Sequence, residues 1–558
     1  MAEDEELCDR LTNKPTRVRR YHTRSRTGCS SCRSRRKRCG EQRPICDSCV
    51  SSGRICSYEP VQLPLRERRA QQKEVQPWDQ KPSWQVGKPS QQTTSSKKTS
   101  IPALLGHMNH DRGYNRLACE MPLRSHELFH YLFNSAQGPK NSLNVPTTNG
   151  LTRLTDDAFG LRSTILLAGM HFCFQYGNLE PFESTFFYHR VQVIKYINKW
   201  ISDGSPKCDP RIIRQMVTLS FTELCNGQIL SAETHVSGIL AIIESTNRAK
   251  GEELFSLRPR STDEELTNRY FIMAYTYICG LKSLLIGICR YGKGDASLKD
   301  YTGKELVQMS YRWHKCEALQ SWISKLEGIR EFPSFIAPLP HGATLNNANA
   351  YNLIQPLRQF TAGIDNLSTG AQSADDGFDT FWRVGSASRM LGAFVRTHLE
   401  SISVKKGELE RRRPQKDTFE APWGAVVTAF VIYSQTILCV TEPVDPRLHK
   451  YTVTLFHQDM ALYFSESRTP SNPAFILWLY VMGLVGCHTS SRDDEDLTIH
   501  PSTLFFQTAV RRQSKEMGIS CWSQAIKVLT EVTWPITRDR SGFIQELWER
   551  SVSTEYQK

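Results

Sequence analysis

Six cysteines within residues 29–56 are the side chains of this 558-residue chain that are best suited to chemistry. They form two triplets with the same spacing, Cys29-x2-Cys32-x6-Cys39 and Cys46-x2-Cys49-x6-Cys56. Cysteine thiolates bind zinc and other soft metal ions. Two sulfurs at positions i and i+3 lie on one side of a helical turn, close enough to bind one ion. The third sulfur of the triplet reaches the site after a short helix. The repeated spacing therefore indicates a metal site.

The number of thiols suggests how many ions are bound. A structural zinc ion takes four tetrahedral ligands, whereas each triplet supplies only three. Two ions need eight coordination positions, and these are filled when four sulfurs bind one ion each and two sulfurs bind both. The first cysteine of each triplet is the natural shared ligand, so Cys29 and Cys46 would each bind both ions. The sequence thus predicts two Zn²⁺ ions held by six thiolates.

The thiols could serve in two other ways. Six cysteines can pair as disulfides in fifteen ways, and thiolates also bind copper(I) or act as redox sensors. The N-terminal segment MAEDEELCDR is acidic and lacks the apolar core of a signal peptide, so we expect an intracellular protein with reduced cysteines. The regular spacing favours zinc over copper. A thiolate metal or redox sensor is kept as the alternative interpretation.

Most of the excess positive charge lies beside these cysteines. The whole chain has 70 Lys and Arg against 57 Asp and Glu, and residues 10–58 alone hold fourteen of the former and two of the latter. Residues 1–9 carry five acidic side chains and no basic one. This distribution predicts a polyanionic partner for the cysteine-rich segment.

Five of these cations lie between the second and third cysteines, namely Arg33, Arg35, Arg36, Lys37 and Arg38. On a helix, at about 100° per residue, Arg33, Arg36 and Lys37 fall on one side. Arg35 and Arg38 fall on the other. One side can enter a DNA groove while the other contacts phosphates, because the fork of arginine suits phosphate oxygens as well as guanine O6 and N7. The sequence therefore predicts double-stranded DNA as a partner.

The cysteine pattern, with Pro44 two residues before Cys46, resembles the DNA-binding domain of the fungal binuclear zinc-cluster (Zn2Cys6) transcription factors. The resemblance implies a fungal source, Cys29 and Cys46 as bridging ligands, and a first helix that reads a CGG-type triplet in the major groove. The family pattern there is Cys-Arg-x-Arg-Lys-x-Lys-Cys, whereas this chain has CRSRRKRC. The main base-reading position, normally lysine, falls on Arg36.

Other basic side chains extend the predicted DNA surface. Arg26 belongs to the upstream segment RVRRYHTRSRTG, which is a candidate minor-groove arm, nuclear import signal or both. Arg54 is the one basic residue between Cys49 and Cys56, so the second triplet is expected to be structural, with one phosphate contact at most.

Composition divides the chain into four predicted parts. They are a basic disordered tail (1–24), a Zn2Cys6 DNA-binding domain (25–60), a flexible linker (61–122) and an all-helical regulatory domain (123–558). The linker is rich in Gln, Ser, Thr, Lys and Pro, as in QQTTSSKKTS. Its segment VQLPLRERRAQQKEVQP contains no heptad seam, so no coiled coil is predicted and the oligomeric state stays open.

The fold class predicted for the long C-terminal part is mainly α. Apolar residues recur at helical spacing in SHELFHYLFNSAQ and FFYHRVQVIKYINKWIS, and in ten further segments between residues 161 and 533. Period-two alternation is scarce. The longest apolar run, AFILWLYVMGLVGC (474–487), is shorter than the ~20 residues that cross a bilayer, so we expect a buried helix and no membrane association.

The same part resembles the second type of fungal transcription-factor regulatory domain, which is also found in sterol-responsive regulators. The matching pieces, in order, are HELFHYLF, AETHVSGILAII, PAFILWLYVMGL and VLTEVTWPITRDRSGFIQELWE. Within the second piece we expect His235 to be a core residue rather than a ligand. Most of the ten cysteines from Cys119 to Cys521 are expected to be small buried hydrophobes.

The chain has no GxxxxGK[ST] or GxSxG sequence and no GxGxxG after a predicted strand, and its one HExxH match, HELFH (126–130), lies in the apolar helical segment SHELFHYLFNSAQ. We therefore expect no enzyme. An apolar pocket between helices could instead bind a small effector. The sequence as a whole predicts a nuclear, sequence-specific regulator of RNA polymerase II transcription, with the transcription machinery as a further partner. The family resemblance implies control of one pathway.

Overall fold

The computed structural model describes residues 28–35, 37–58, 117–134, 157–203, 209–250, 260–293, 297–369, 382–403, 419–441, 445–465, 472–490, 501–536 and 541–553. They fall into two compact units on either side of Leu104. The described part of the first unit contains two short helices, α1 (Ser30–Ser34) and α2 (Asp47–Val50). Its buried centre is made of cysteine side chains, with Cys56 and Tyr58 packed against them.

The described part of the second unit is almost entirely helical. Its helices are α3 (Ser125–Asn134), α4 (Ala158–Tyr176), α5 (Glu183–Ser202), α6 (Pro210–Cys225), α7 (Ile229–Lys250), α8 (Thr262–Lys293), α9 (Gly303–Lys315), α10 (Leu319–Arg330), α11 (Tyr351–Thr369), α12 (Ser386–Glu400), α13 (Trp423–Ile432), α14 (Pro446–Ser465), α15 (Pro473–Ser490), α16 (Pro501–Glu516), α17 (Trp522–Val532) and α18 (Ser541–Val552). Short 3-10 turns are formed by Glu180–Phe182, Leu298–Asp300 and Phe332–Phe335, and a π-helical segment by Tyr433–Ile437. The predicted mainly α fold class is confirmed.

Four two-residue strands are described, in two antiparallel pairs. They are β1 (Thr344–Leu345) with β3 (Ile402–Ser403), and β2 (Ala348–Asn349) with β4 (Glu420–Ala421). Each pair fastens the segment before α11 to a segment next to α12 or α13. The strands therefore join helices and do not form a layer of their own.

Polar caps fix where several helices begin. The Asp157 carboxylate accepts hydrogen bonds from the backbone N–H groups of Phe159 (3.2 Å) and Gly160 (2.9 Å) at the start of α4. The Thr302 hydroxyl and the Glu305 carboxylate form a reciprocal capping box at the start of α9. These contacts satisfy N–H groups that the first turn of a helix leaves without partners.

Two apolar helices lie in the core of the second unit. The run 474–487 forms most of α15, and its Trp478 and Tyr480 side chains have no exposed surface, so the predicted buried helix is confirmed. Residues Thr262–Arg290 of α8 are also long and apolar enough to cross a membrane, with a mean hydropathy of 1.6 over an 18-residue window. Since 72% of that window is buried within the protein, α8 has the packing of a core helix.

The helices that sequence periodicity did not predict are α9, α10, α11 and α18. Among them α11 contains Pro356, a residue that argues against a helix interior when only the sequence is read. The start of the helical unit also differs from the prediction. Leu117, Cys119 and Met121, which were assigned to the linker, pack against the core.

Two predictions about single residue types have different outcomes. His235 is not a core residue, because its side chain is 34% exposed and its Nε2 lies 3.5 Å from a carboxylate oxygen of Glu223. Burial opposes ionisation of Glu223, but hydrogen bonds from His235 and Arg190 lower its pKa overall. Of the nine downstream cysteines that are described, five are buried, as expected; Cys208 lies outside the described residues.

A close approach between α15 and α16 generates a stability prediction. A Cβ atom added at Gly483 would lie 2.2 Å from the ring of Phe506, which is fully buried. Replacing Gly483 by Ala is expected to destabilise the protein by about 1 to 3 kcal/mol because the ring has no room to move. The midpoint of thermal or urea unfolding of the full chain measures the change.

Gly238 in α7 provides the matched control. A Cβ atom at this position would meet no atom within 4 Å. Gly238→Ala should therefore increase the free energy of unfolding by up to about 1 kcal/mol through helix propensity alone, and so raise the unfolding midpoint. Shifts of the same sign in both variants would contradict the steric argument.

Candidate metal centre

The sulfur atoms of the first unit form two overlapping groups of four. One group contains Cys29, Cys32, Cys39 and Cys46, and the other contains Cys29, Cys46, Cys49 and Cys56. Within each group all sulfurs lie within 4.8 Å of one another. Cys29 and Cys46 belong to both groups. The folded chain thus presents two four-sulfur sets that share the first cysteine of each triplet.

The spacing of the sulfurs matches tetrahedral zinc. Two sulfurs bound to one zinc ion at about 2.3 Å are expected to lie about 3.8 Å apart. The Sγ atoms of Cys29 and Cys46, of Cys29 and Cys49, and of Cys32 and Cys46 are each 3.7 Å apart. A disulfide would bring two sulfurs to about 2.05 Å, and all six cysteines are free thiols. The donor set fits a binuclear zinc site.

Backbone N–H groups point at the sulfurs. Cys32 N–H donates to Cys29 Sγ, Cys29 N–H to Cys39 Sγ, and Cys46 N–H to Cys56 Sγ, each at 3.4 Å. Donors of this kind stabilise thiolate charge and fix the direction of each ligand. Each of the three bonds joins cysteines of one triplet, so the backbone of each triplet orients the sulfurs of that triplet.

Burial and these hydrogen bonds act on the thiol pKa values in opposite directions. Burial, reinforced by the Cys29 and Cys46 sulfurs, raises the pKa of Cys32 to about 12. Burial also opposes ionisation of Cys29, but hydrogen bonds from Cys32 lower the pKa of Cys29 overall. A zinc ion must displace the protons that such buried thiols hold, so zinc binding is coupled to proton release.

Helix α1 is shorter than the sequence indicates. The arrangement of cations on two sides assumed a helix from Arg33 to Arg38, but α1 ends at Ser34, and Lys37 and Arg38 lie in irregular structure. A helix continued from Cys32 to Cys39 would separate them by about 10 Å along its axis. The sulfurs of Cys32 and Cys39 belong to one four-sulfur set. The helix must therefore end before Cys39, so that the chain can bring the Cys39 sulfur close to that of Cys32.

The described cations have different environments. Arg33 is exposed, and its Nε donates to the carbonyl of Gly28 at 2.9 Å. Lys37 and Arg38 are exposed beside the cluster, and Arg54 is exposed on the second triplet. Two further predicted DNA contacts, Arg26 and Arg36, lie outside the described residues.

Arg35 differs from the other described cations because it contacts the second triplet. Its side chain is half-buried, and its Nη1 donates to Ser52 Oγ at 3.1 Å. Further contacts join the same two halves. Ser31 Oγ donates to the Ile55 carbonyl at 2.6 Å, and Ser30 N–H donates to the Ser57 carbonyl at 2.9 Å. The two triplets therefore brace each other outside the sulfur cluster.

Tyr58 and Gln42 are site residues that sequence reasoning missed. Tyr58 Oη donates to the Gln42 carbonyl at 2.8 Å and lies 3.7 Å from Cys39 Sγ. The guanidinium of Arg43 lies 5.2 Å from the centre of the Tyr58 ring. The Gln42 side chain accepts from Asp47 N–H at 3.2 Å, at the start of α2. No spacing rule points to either residue; proximity to the last cysteine is the one signal for Tyr58.

Comparison with known proteins gives a match in the same region. A family model described as the fungal Zn(2)-Cys(6) binuclear cluster domain matches residues 27–63. The chain is 39% identical over 62 residues to sterol uptake control protein 2 of Candida albicans, covering 11% of this chain and 9% of that protein. It is 41% identical over 61 residues to the transcriptional regulatory protein pro1 of Neurospora crassa, and the match covers 11% of this chain and 9% of that protein. It is 47% identical over 57 residues to transcription factor FBD3 of Gibberella moniliformis, covering 10% and 7%.

These similarities are limited in extent. The matched part spans less than a tenth of the length of each of these relatives. No solved structure matches the chain. The type of regulatory domain predicted for residues 123–558 therefore stays a prediction. None of the three names describes an enzyme. The matched family model and the two overlapping four-sulfur sets agree that residues 27–63 are a fungal Zn(2)-Cys(6) binuclear cluster domain.

Proposed function

We propose that the protein is a nuclear, sequence-specific DNA-binding regulator of RNA polymerase II transcription. The observation that carries the proposal is the pair of four-sulfur sets sharing Cys29 and Cys46, with exposed cations on the adjoining segment. Its proposed partners are double-stranded DNA and the transcription machinery. The printed names of the relatives, which include a transcriptional regulatory protein and a transcription factor, support the same class of function.

In this proposal Cys29 and Cys46 bridge two zinc ions. Cys32 and Cys39 complete the ligands of one ion, and Cys49 and Cys56 those of the other. Zinc acts structurally here, because a five-residue helix such as α1 is too short to be stable alone. The ions hold α1 and the following segment in one conformation, so that the cations reach DNA already ordered.

We assign one of three roles to each cation of the predicted DNA surface: base reading, phosphate contact or positioning. We assign base reading to Arg36, at a CGG-like triplet in the major groove, because arginine pairs bidentately with guanine. Arg33, Lys37 and Arg38 are assigned to phosphates, with Arg54 and Arg26 as outer contacts. Arg35 is assigned mainly to positioning, since its guanidinium already bonds to Ser52.

The helical unit is proposed to regulate this DNA-binding activity, by contacts with the transcription machinery and by binding a small effector. Control of one pathway, such as a biosynthetic gene cluster or nutrient use, fits the family resemblance. The second candidate function is a thiolate metal or redox sensor, which the free and buried thiols also permit. Metal content separates the two candidates.

Metal analysis of the purified full chain is expected to give two zinc ions per chain with all six cluster thiols reduced. Cys29→Ser or Cys46→Ser should remove both ions, because each of these sulfurs belongs to both four-sulfur sets. The matched control is Cys56→Ser, which leaves the set of Cys29, Cys32, Cys39 and Cys46 intact and should retain about one ion.

A Cys29→Ser chain that keeps one tightly bound zinc ion and unchanged DNA affinity would overturn the bridging assignment. Copper in place of zinc, or thiols that oxidise reversibly under mild conditions, would favour the sensor function instead.

DNA binding provides a second test. Arg36→Ala should lose about 1 to 3 kcal/mol of discrimination between the selected site and single-base variants, because a bidentate base contact is removed. Lys37→Ala and Arg38→Ala should weaken binding to all sequences alike, and each should lower the slope of log K against log salt by roughly 0.9. Binding titrations at several salt concentrations, on a site selected from a random pool, measure both effects.

Equal weakening by Arg36→Ala on every sequence would make Arg36 a phosphate contact. If wild-type protein with two zinc ions showed no preference for any sequence, the proposed function would fail.

A further inference from the structure

A small cavity lies within the second unit, between α8, α10, α12 and α13. Its volume is about 90 Å³. An apolar cavity of about 150 Å³ in another protein admits benzene. This cavity is smaller but partly open to solvent, so it encloses a few heavy atoms of a ligand whose remaining atoms project from its mouth. Much of its wall is apolar, with Leu281, Leu284, Met390, Phe394 and Phe430 among the lining residues. A ligand of this site would need a compact apolar body.

One wall of the cavity carries a buried cation. Lys325 lines the cavity and is 6% exposed. Its Nζ donates to His314 Nε2 at 2.7 Å, and the other ring nitrogen of His314 is hydrogen-bonded to the carboxylate of Glu317. The rings of Phe174 and Tyr277 lie 5.2 and 5.7 Å from Nζ. An ammonium has three N–H donors, so Lys325 can offer a hydrogen bond to a ligand without giving up His314.

The charge around Lys325 indicates which kind of acceptor fits. Glu317 and Lys325 are both buried and carry opposite charges that are linked through His314. Burial lowers the pKa of Lys325 to about 8, and Glu317 acts against this shift. An anionic ligand would add a second buried negative charge and leave one of them without a counter-charge, which is costly. A neutral acceptor avoids that cost.

Other features of the wall also point to a ligand. The hydroxyls of Tyr277 and Thr441, two lining residues, have no hydrogen-bond partner within the part of the chain that the structure describes. Buried polar atoms normally have a partner. The π-helical segment Tyr433–Ile437 adjoins the cavity through Ser434, and such segments are frequent at functional sites.

We propose that this cavity binds a small neutral molecule, with one ring or a short apolar chain, whose carbonyl oxygen accepts a hydrogen bond from Lys325 Nζ. The inference rests on the proposed regulatory function for its biological meaning, since it specifies the class of effector. Binding itself does not depend on the zinc cluster.

The test uses three fluorinated probes and the full chain, observed by ligand ¹⁹F NMR. 4-Fluoroacetophenone has the neutral carbonyl, fluorobenzene has none, and 4-fluorobenzoate has a charged acceptor. The ketone should bind saturably at one site per chain. Fluorobenzene should bind roughly tenfold more weakly because it lacks the hydrogen bond to a charged donor. The benzoate should bind no better than fluorobenzene.

Variants locate the site. A Cβ atom at the cavity-lining Gly280 would meet only the Trp382 ring, at 3.7 Å, so Gly280→Leu has room to fill the space. It should abolish binding of all three probes while the circular dichroism spectrum stays helical. Gly238→Leu makes the same exchange in α7, away from the cavity, and should bind the ketone like wild type. Undiminished ketone binding in Gly280→Leu would overturn the proposal.

Lys325→Met removes the donor and keeps the length of the side chain. In this variant the ketone should lose its advantage over fluorobenzene, whose own binding reports that the cavity is still formed. A tenfold preference that survives in Lys325→Met would refute the role of Lys325, and wild type that binds no probe saturably would refute the site.

DNA binding and zinc content are measured on the same wild-type sample. Intact DNA binding without probe binding overturns this inference alone. Probe binding without sequence-selective DNA binding overturns the proposed function and leaves the cavity assignment standing.

Discussion

The sulfur cluster is the constraint on which the first unit depends. The two helices described in it have five and four residues, too few to be stable in isolation. Among its described residues, the buried centre consists of cysteine side chains rather than an apolar core. Metal ligation must therefore supply the folding free energy that burial supplies elsewhere. The hydrogen bonds between the triplets, from Ser30, Ser31 and Arg35, can form only when the sulfurs bring the two halves together.

The second unit is stabilised in a different way. Its long core helices α8 and α15 bury large aromatic side chains such as Tyr270 and Trp478 completely. Close approaches such as that of Gly483 to Phe506 leave little spare volume. Against this dense packing, a cavity beside a buried lysine is a departure that needs a physical reason. The reason we favour is a ligand, because it is costly to leave empty a space lined by a cation and by hydroxyls that have no partner among the described residues.

The sequence predicted the metal site well because coordination geometry restricts the spacing of ligands so strongly. Two repeated triplets of thiols allow few arrangements, and the overlapping four-sulfur sets follow the ligand count. The end of α1 at Ser34 was not predictable from helical periodicity, because it depends on the position that the Cys39 sulfur takes beside the Cys32 sulfur. Tyr58 and Gln42 were missed for a similar reason, as their contacts exist only after folding.

In the helical unit too, features that follow from the sequence pattern were predicted, and features that depend on contacts in the folded chain were not. Strongly apolar segments such as 474–487 were assigned correctly, because a run of that length and composition must be buried. Helix α9 was missed, although Thr302 and Glu305 form a capping box that its sequence contains. His235 was misassigned because periodicity gives the face of a helix but not the polar partner, here Glu223, that an adjoining helix provides.

The hydrogen bond between Arg35 and Ser52 links the basic segment to a half of the cluster that carries few charges of its own. The conformation in which Lys37 and Arg38 are presented depends on where α1 ends, and that end is held from the second triplet. Under the proposed function, a substitution in the second triplet can therefore alter which DNA sequence is preferred without touching a base. Related proteins that share the basic segment but differ in the second triplet would then diverge in their target sites.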